Sequence, residues 1–518
     1  MTAIDISPAV FDRAPRVVKG TTVGRYLKML GVMGLVVTVS GCVVGPDYQT
    51  PLINMPSSWG NKKQQKPVKP AELAEWWKKL NDPLLDALIE EAVAGNLDVA
   101  SAKARVREAR ASYRQTVGTL LPSLDGSGSA TRSRSASSVS GSSNTSSQFQ
   151  AGLDASWEID LFGANRRSVE AAKYGMDAAE EDLRNTLLTL IGDVATNYVE
   201  ARGYQARTAL ARRTAASQRE TVALTRNKFE AGASSKVDLA NASGQAATTE
   251  ANIPDLEAAY AASVHRLSVL TGRAPAALAE RMKKFKRIPK PKLPIPTGIP
   301  ADILLTRPDV RLAERQYAQY TAKVGQAEAA RYPSVSLTGD IATTATRIGD
   351  LGKSSSISWS FGPSVSVPIF NGGQLKAAVE VAEAQRDQYF VAYRSSILTA
   401  LEDVENAIVS LAQERVKASR LATSAGHYRE AASLARSLYQ SGTQSFLDLL
   451  EAERSLYSAE DSLIASQVLI TTDYIALNKA LGGGWSGAVE VSRPEVVDIN
   501  TGPRLPARNN AVATAAKN

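Results

Sequence analysis

Two segments of the chain alternate regularly between apolar and polar residues. Apolar side chains occupy every second position at 149–161, and a closely similar pattern recurs at 357–369. Because successive side chains of a strand point to opposite faces, each segment predicts a strand with one apolar and one polar face. A weaker strand precedes each segment, so the pattern predicts two β-hairpins, at 122–161 and 334–369.

Apolar residues recur at steps of three and four along two long stretches that contain no proline. This period predicts long helices at 166–231 and 374–441, whose apolar stripe resembles a coiled-coil seam. Return helices are predicted at 236–271 and 446–481. The overall pattern therefore predicts a mainly α chain with a smaller β part.

Glycine and serine mark the point where each long helix should end. Gly232 and Gly442 fit the left-handed cap position that glycine occupies at little cost. A serine three residues later precedes Asp238 or Asp448 by three more positions, which is a capping-box spacing. Each long helix and its return helix are therefore predicted to form a helical hairpin with a defined tip.

The two halves of the chain are copies of each other, since matching landmarks of the hairpin tips lie 210 residues apart. We expect a first repeat at 83–273 and a second at 302–481, each beginning with a short helix, at 83–118 and 302–332. The segments outside the repeats are a signal peptide at 1–41, an N-terminal segment at 42–82, a proline-rich linker at 274–301 and a C-terminal segment at 482–518, whose end we expect to be disordered.

Cys42 is the only cysteine, which excludes an internal disulfide. It follows a basic stretch, a short apolar run and two small residues, which is the order of a signal peptide. Val39 to Cys42 resembles a bacterial lipobox, so we expect a covalent lipid on Cys42. A free buried thiol in an ordinary leader is the alternative.

The strand pattern leaves two interpretations open. A sandwich sheet with one solvated face shows the same alternation as a transmembrane β-barrel, in which lipid touches the apolar face and a wet lumen touches the polar face. Four strands cannot close a barrel alone, and bare ladder edges are not tolerated in lipid. The membrane interpretation therefore requires several chains to share one barrel.

Composition excludes several classes of function. The chain holds 60 Lys and Arg against 52 Asp and Glu, without a basic cluster interleaved with aromatic residues, so we expect no nucleic-acid binding. His265 and His427 stand alone, and with a single cysteine no nucleophilic or metal-binding set of Cys and His can form. We therefore expect neither an enzyme nor a metal site.

Seven ordered motifs along the chain resemble the TolC-like outer-membrane efflux proteins, in particular their NodT-type lipoprotein branch. They lie at 42–48 (CVVGPDY), 76–84, 104–122, 157–163 (WEIDLFG), 368–373 (PIFNGG), 442–450 and 480–485 (ALGGGW). The resemblance implies a homotrimer, with a twelve-stranded β-barrel in the outer membrane continued by a long α-helical barrel. The segments outside the repeats would form a collar around its middle.

The resemblance also implies a function. The chain would be the lipid-anchored exit duct in the outer membrane of a Gram-negative bacterium, reaching into the periplasm. It would work with a periplasmic adaptor (membrane fusion) protein and an inner-membrane pump of the resistance–nodulation–division type. The pump would supply the energy, and small molecules or drugs would pass through the duct passively. A duct for type I protein secretion is an alternative, and a non-conducting lipid-anchored coiled-coil scaffold is another.

In that family the tunnel closes at the helical tips and opens by an iris-like movement. By this resemblance Asp448 and Glu451 would line the periplasmic gate, together with Gln444 and, on the other hairpin, Asp238. Capping is the alternative role for Asp448. Gln444 replaces an arginine latch of related channels, so a salt-linked closed state is not implied. The tips at Gly232 and Gly442 would contact the adaptor. No cofactor is implied beyond the lipid.

Overall fold

The computed structural model describes residues 43–53, 73–136, 143–291, 301–485, 489–493 and 496. The signal peptide predicted at 1–41 and the lipidation site predicted at Cys42 lie outside these ranges. Parts of the predicted segments at 42–82 and 274–301, and most of 482–518, also lie outside them.

Helices make up most of the described chain. Two of them are far longer than an ordinary globular helix of about 11–12 residues, with 67 residues in Ala164–Glu230 and 68 in Gln374–Ser441. The helices are α1 (Pro83–Gly95), α2 (Leu97–Gly118), α3 (Ala164–Glu230), α4 (Lys236–Leu270), α5 (Ala279–Met282), α6 (Pro308–Ala329), α7 (Gln374–Ser441) and α8 (Phe446–Ala480). Short 3₁₀ turns occur at Trp76–Leu80, Ala301–Thr306, Ile348–Asp350 and Ser354–Ser356.

The described strands form one antiparallel sheet in which sequence neighbours pair. The strands are β1 (Ser123–Ala136), β2 (Ser143–Ile159), β3 (Ser334–Ala345) and β4 (Ile357–Ser366). The register places Leu153 opposite Ile341, and Ile341 opposite Trp359. Large apolar side chains from three strands therefore lie side by side on one face of the sheet.

This apolar face is exposed on the single chain. The exposed fraction is 49% for Leu153, 49% for Ile341 and 75% for Trp359. The opposite face carries serine, threonine, glutamine and acidic side chains, because the polar positions of the alternation share one register. A sheet whose large side chains point outward has no core of its own on that side, which marks the face as a surface for lipid or a partner.

Contacts divide the chain into two units. One contains the strands, in Pro122–Arg166 and Glu328–Phe370, and the other contains the helical hairpins. The two repeats are thus each split between both units. The duplicated element is a supersecondary unit, and neither repeat is a compact domain by itself.

Several element bounds differ from the predicted ones. The segment predicted as one helix at 302–332 is a 3₁₀ turn at Ala301–Thr306 followed by α6 (Pro308–Ala329). Two further differences have a local cause. The last strand ends at Ser366, paired with Ser334, and does not continue to residue 369. Pro333 directly precedes Ser334, and Pro368 lies two residues after Ser366. Neither can donate to the ladder at the point where pairing ends. The helix predicted at 83–118 is interrupted at Asn96, whose side chain accepts hydrogen bonds from the next helix's first amides and so starts a new helix.

The helical unit holds a large apolar core at the middle of the long helices. Trp76 is buried against Tyr474 and donates its indole N–H to the carbonyl of Gly483 at 3.2 Å. Arg202 of α3 is fully buried and donates to the carbonyl of Lys284 at 3.0 Å. Described parts of the predicted collar segments therefore pack on the helices through both apolar and polar contacts.

No helix in the described part of the chain is long and apolar enough to cross a bilayer.

Candidate gate at the helical-hairpin tips

The second hairpin turns at Gly442. This residue has φ +80°, and the amides of Gly442 and Thr443 donate to the carbonyls of Tyr439 (3.1 Å) and Leu438 (3.0 Å). These bonds satisfy carbonyls in the last turn of α7 in the manner of a Schellman cap. The predicted left-handed glycine is therefore present, and the chain reverses directly into α8.

Asp448 lies in the first turn of α8 and takes part in its cap. The side chain of Ser445 accepts a hydrogen bond from the Asp448 amide at 3.3 Å and donates to the Asp448 carboxylate at 2.7 Å. The carboxylate is nevertheless exposed to solvent. Capping and exposure coexist, so both roles considered for Asp448 remain physically available.

Asp238 caps the first return helix more completely. Ser235 and Asp238 exchange backbone–side-chain hydrogen bonds of 3.0 Å each, which forms a full capping box. Partial burial opposes ionisation of this carboxyl, but the hydrogen bonds from the Ser235 amide and from the hydroxyls of Ser235 and Ser234 outweigh it and hold the pKa of Asp238 below its ordinary value.

Glu451 and Gln444 differ in their surroundings. Glu451 is exposed one turn after Asp448, and its carboxylate accepts a 3.4 Å hydrogen bond from Ser455. The side-chain oxygen of Gln444 is buried and has no hydrogen-bond partner among the described protein groups. The neutral Gln444 side chain forms no ion pair, as its amide chemistry requires.

Lys228 joins the first long helix to the tip of the second. Its ammonium group donates to the carbonyl of Tyr439 and lies 4.5 Å from the centre of the Tyr439 ring. The Tyr439 hydroxyl donates to the Thr225 hydroxyl at 3.1 Å. A lysine near a helix C-terminus signals capping of its own helix, so the sequence pattern did not indicate this contact across the repeats.

A second link between the repeats lies further from the tips. Arg436 of α7 donates to the buried carboxylate of Glu453 at 2.6 Å, and Thr221 of α3 donates to the same oxygen at 3.0 Å. The buried charge of Glu453 is thus paired and hydrogen-bonded, which a low-polarity interior requires.

A family model for the outer membrane efflux proteins matches residues 88–273 and 299–483. The chain belongs to the outer membrane efflux protein family. The resemblance seen in the sequence is confirmed, and the two matched blocks correspond to the two repeats.

Similar proteins share nearly the whole length of the chain. Nodulation protein T of Rhizobium leguminosarum bv. trifolii is 36% identical over 86% of this chain and 96% of the relative. The solvent efflux pump outer membrane protein SrpC of Pseudomonas putida is 34% identical over 86% of this chain and 96% of that relative. The solved outer-membrane channel OprN superposes with a TM-score of 0.80 at 34% identity, over 86% of this chain and all of that one.

Membership in this family indicates that the hairpin tips belong to an efflux protein, but it does not say what each residue of the tips does. The two hairpin tips carry six residues singled out in the sequence, and their roles in gating and adaptor contact stay predictions. They are Gly232, Gly442, Asp238, Asp448, Glu451 and Gln444. Among the described residues, no group of three or more Asp, Glu, His or Cys side chains is arranged to hold a metal ion.

Proposed function

We propose that three copies of this outer membrane efflux protein assemble into one duct. The exposed apolar face of the sheet supports this proposal most directly. Leu153, Ile341 and Trp359 would contact lipid, while the polar face would line a water-filled lumen. β1 and β4 are the outer strands of the described sheet, and in lipid their free edges require partner strands. Edge pairing among three sheets would give a twelve-stranded barrel.

The long helices would continue the duct into the periplasm. At about 1.5 Å per residue, helices of this length reach on the order of 100 Å. Such a tunnel carries no pump of its own. It would receive cargo from an inner-membrane pump of the resistance–nodulation–division type through an adaptor that grips the hairpin tips at Gly232 and Gly442. Transport through the duct itself is passive.

The tips would form the closed end of the duct. Repetition of Asp448 and Glu451 around a threefold axis would concentrate negative charge in a narrow opening, which favours cations. The closed state would depend on uncharged packing and on the link from Lys228 to Tyr439, because Gln444 offers no ion pair.

Cys42 would carry the lipid that holds the mature chain to the outer membrane. Two features support this: the lipobox-like segment before it and the membership of the chain in an outer-membrane family. Replacement Cys42→Ser should abolish the lipid. Mass spectrometry of the mature N-terminal peptide checks this, and an unmodified cysteine in the parent protein would contradict the proposal.

The duct function is tested by ion current. The full chain, purified in detergent and inserted in a planar bilayer, should give discrete conductance steps, and cross-linking should trap three copies. Absence of current from a correctly folded trimer would favour the non-conducting scaffold, and a monomer in detergent would contradict the shared barrel.

A further inference from the structure

A cavity that opens to solvent lies between the first long helix and the second hairpin. Its volume is about 370 Å³, and its walls come from α3, α7 and α8. Protein sites for small ligands span roughly 300–1,000 Å³, whereas a single water molecule occupies about 30 Å³. The cavity therefore has room for a small organic molecule.

Gln218 gives this cavity an unmet hydrogen-bonding demand. The side chain is 3% exposed, and neither its amide nitrogen nor its amide oxygen has a partner among the described protein groups. An unsatisfied buried polar group lowers the stability of the folded state by about 1–3 kcal/mol, so two such atoms on one side chain destabilise the fold appreciably. Gln218 lines the cavity, and after rotation of its buried amide it would offer both a donor and an acceptor to an occupant.

The charged groups of the wall are unbalanced. Three arginines face two glutamates. Glu460 accepts from Arg213 at 2.7 Å and from Arg429 at 3.1 Å, so one carboxylate serves two guanidinium groups. Arg436 is paired with Glu453. Each guanidinium has five donors, and these pairs leave several of them available. Glu220, just outside the wall, also lies 3.9 Å from Arg436, so the surplus of the wall is one of guanidinium N–H donors and not of net charge.

We propose that the cavity is a binding site for a small organic carboxylate. The carboxylate accepts hydrogen bonds from the surplus guanidinium donors, a geometry that arginine favours over lysine. A hydroxyl or a second polar group of the same molecule bonds the amide of Gln218. The site does not depend on the chain's being a duct, because every residue in it belongs to one copy.

Occupancy of this site would couple the two repeats. Gln218 and Arg213 belong to the first repeat, and the remaining charged groups of the wall belong to the second. A molecule bound to both adds contacts across the same boundary that Thr221 and Glu453 already bridge. Binding is therefore expected to slow relative movement of the two hairpins.

Calorimetric titration of the full chain in detergent tests the site. L-malate and succinate should bind saturably, with dissociation constants at or below about 1 mM, and the uncharged diamide of succinate should bind at least about tenfold more weakly. Gln218→Leu should weaken malate binding about tenfold without lowering the thermal unfolding temperature, because it removes an unsatisfied polar group. Gln245→Leu, on a helix that does not line the cavity, should leave binding unchanged.

Three results would overturn the proposal. The first is that neither malate nor succinate binds at about 10 mM. The second is that Gln218→Leu binds malate as tightly as the parent protein does. The third is that inorganic phosphate binds while both carboxylates do not. A shared loss of affinity in Gln218→Leu and Gln245→Leu would likewise show that the measured binding lies elsewhere.

Discussion

At the scale of single residues, the hairpin tips depend on backbone conformation and on caps. Gly442 adopts a left-handed conformation in open surroundings, where an added Cβ would meet only the Lys228 ammonium, at 4.0 Å. The need for glycine is therefore a matter of φ and not of space. Gly426, in the middle of α7, also has open surroundings but helical geometry.

Gly442→Ala should destabilise the second tip by about 1 kcal/mol, because an alanine pays a steric penalty in the left-handed region. Hydrogen–deuterium exchange of residues 438–446 should become faster. The matched variant Gly426→Ala should instead raise helix stability by about 0.5–1 kcal/mol. Equal exchange in the two variants would remove the conformational argument.

The cap at Asp238 should respond to acid. A carboxyl whose pKa is depressed in the folded state contributes stability above its unfolded pKa, near the ordinary value of 3.8, and loses that contribution as pH falls through the lower folded pKa. The protection of the first amides of α4 against hydrogen exchange, relative to the intrinsic exchange rate at each pH, should therefore fall below about pH 4.

Asp238→Asn should abolish this acid dependence, since the amide cannot titrate. Asp255→Asn, further along the same helix and outside the cap, should retain it. A parent protein whose first α4 amides keep the same protection factors as the pH is lowered would show that the capping box does not control this helix end.

The helix caps could be predicted from local sequence signals, whereas the contacts between hairpins could not. Gly232, Gly442 and the capping aspartates follow rules that act over a few neighbouring residues. Lys228 meets Tyr439 because two helices 211 positions apart along the chain lie together. Such a contact depends on the packing of whole helices, which no short window of sequence records.

At the scale of elements, the sheet brings three aspartates into one row. Asp125 pairs with Asp154, and Asp154 pairs with Asp340. The described strand positions on this face include no lysine or arginine. Like charges directly opposite each other destabilise a sheet, so the row opposes the pairing that creates it.

Asp154→Asn should stabilise the sheet by about 0.2–1 kcal/mol, because it removes two like-charge contacts at once. Thermal unfolding of the β unit in detergent, followed by circular dichroism, measures the gain. Glu158→Gln is the matched control, since Glu158 is opposite the neutral Ser336. A gain of the same size in both variants would mean that overall charge, and not the row, sets the effect.

The strands were predictable as elements because alternation is a strong local signal, but their ends and their alignment were not. Residues 367–369 keep the alternating pattern beyond the last paired residue, Ser366. Pairing requires a partner as well as a pattern, and the proline at 333 removes it. The acidic row depends on register, which only the folded sheet fixes.

At the scale of the whole molecule, the proposed duct requires lipid to cover the apolar sheet face and partner copies to pair with the sheet edges. Alternation alone fitted a solvated sandwich equally well, and the proposed barrel is supported by the exposed face of the single chain together with membership in the outer membrane efflux family. The need for partner copies arises from strand edges that are left unpaired in the folded chain. The alternation of apolar and polar residues in the sequence shows that strands exist, but not which edges lack a partner.

Replacement of both Asp448 and Glu451 by alanine should weaken cation selectivity or raise conductance in planar bilayers, because threefold repetition removes six carboxylates from the proposed opening. The single variants separate the two roles of Asp448. If only Glu451→Ala changes the current, Asp448 serves the helix cap. Unchanged current in the double variant would place the constriction elsewhere.

The tie between Lys228 and Tyr439 cannot be repeated by the other half of the chain. The equivalent positions, 210 residues away, are Leu438 for Lys228 and Phe229 for Tyr439. After duplication the two hairpins have therefore diverged. The first supplies the lysine donor of this contact, and the second supplies the carbonyl and the ring that accept it. In a closed circle of six hairpins, neighbours would alternate in kind, and sixfold equivalence would be reduced to threefold. An opening motion could then be assigned to one set of hairpins while the other set serves as a fixed frame.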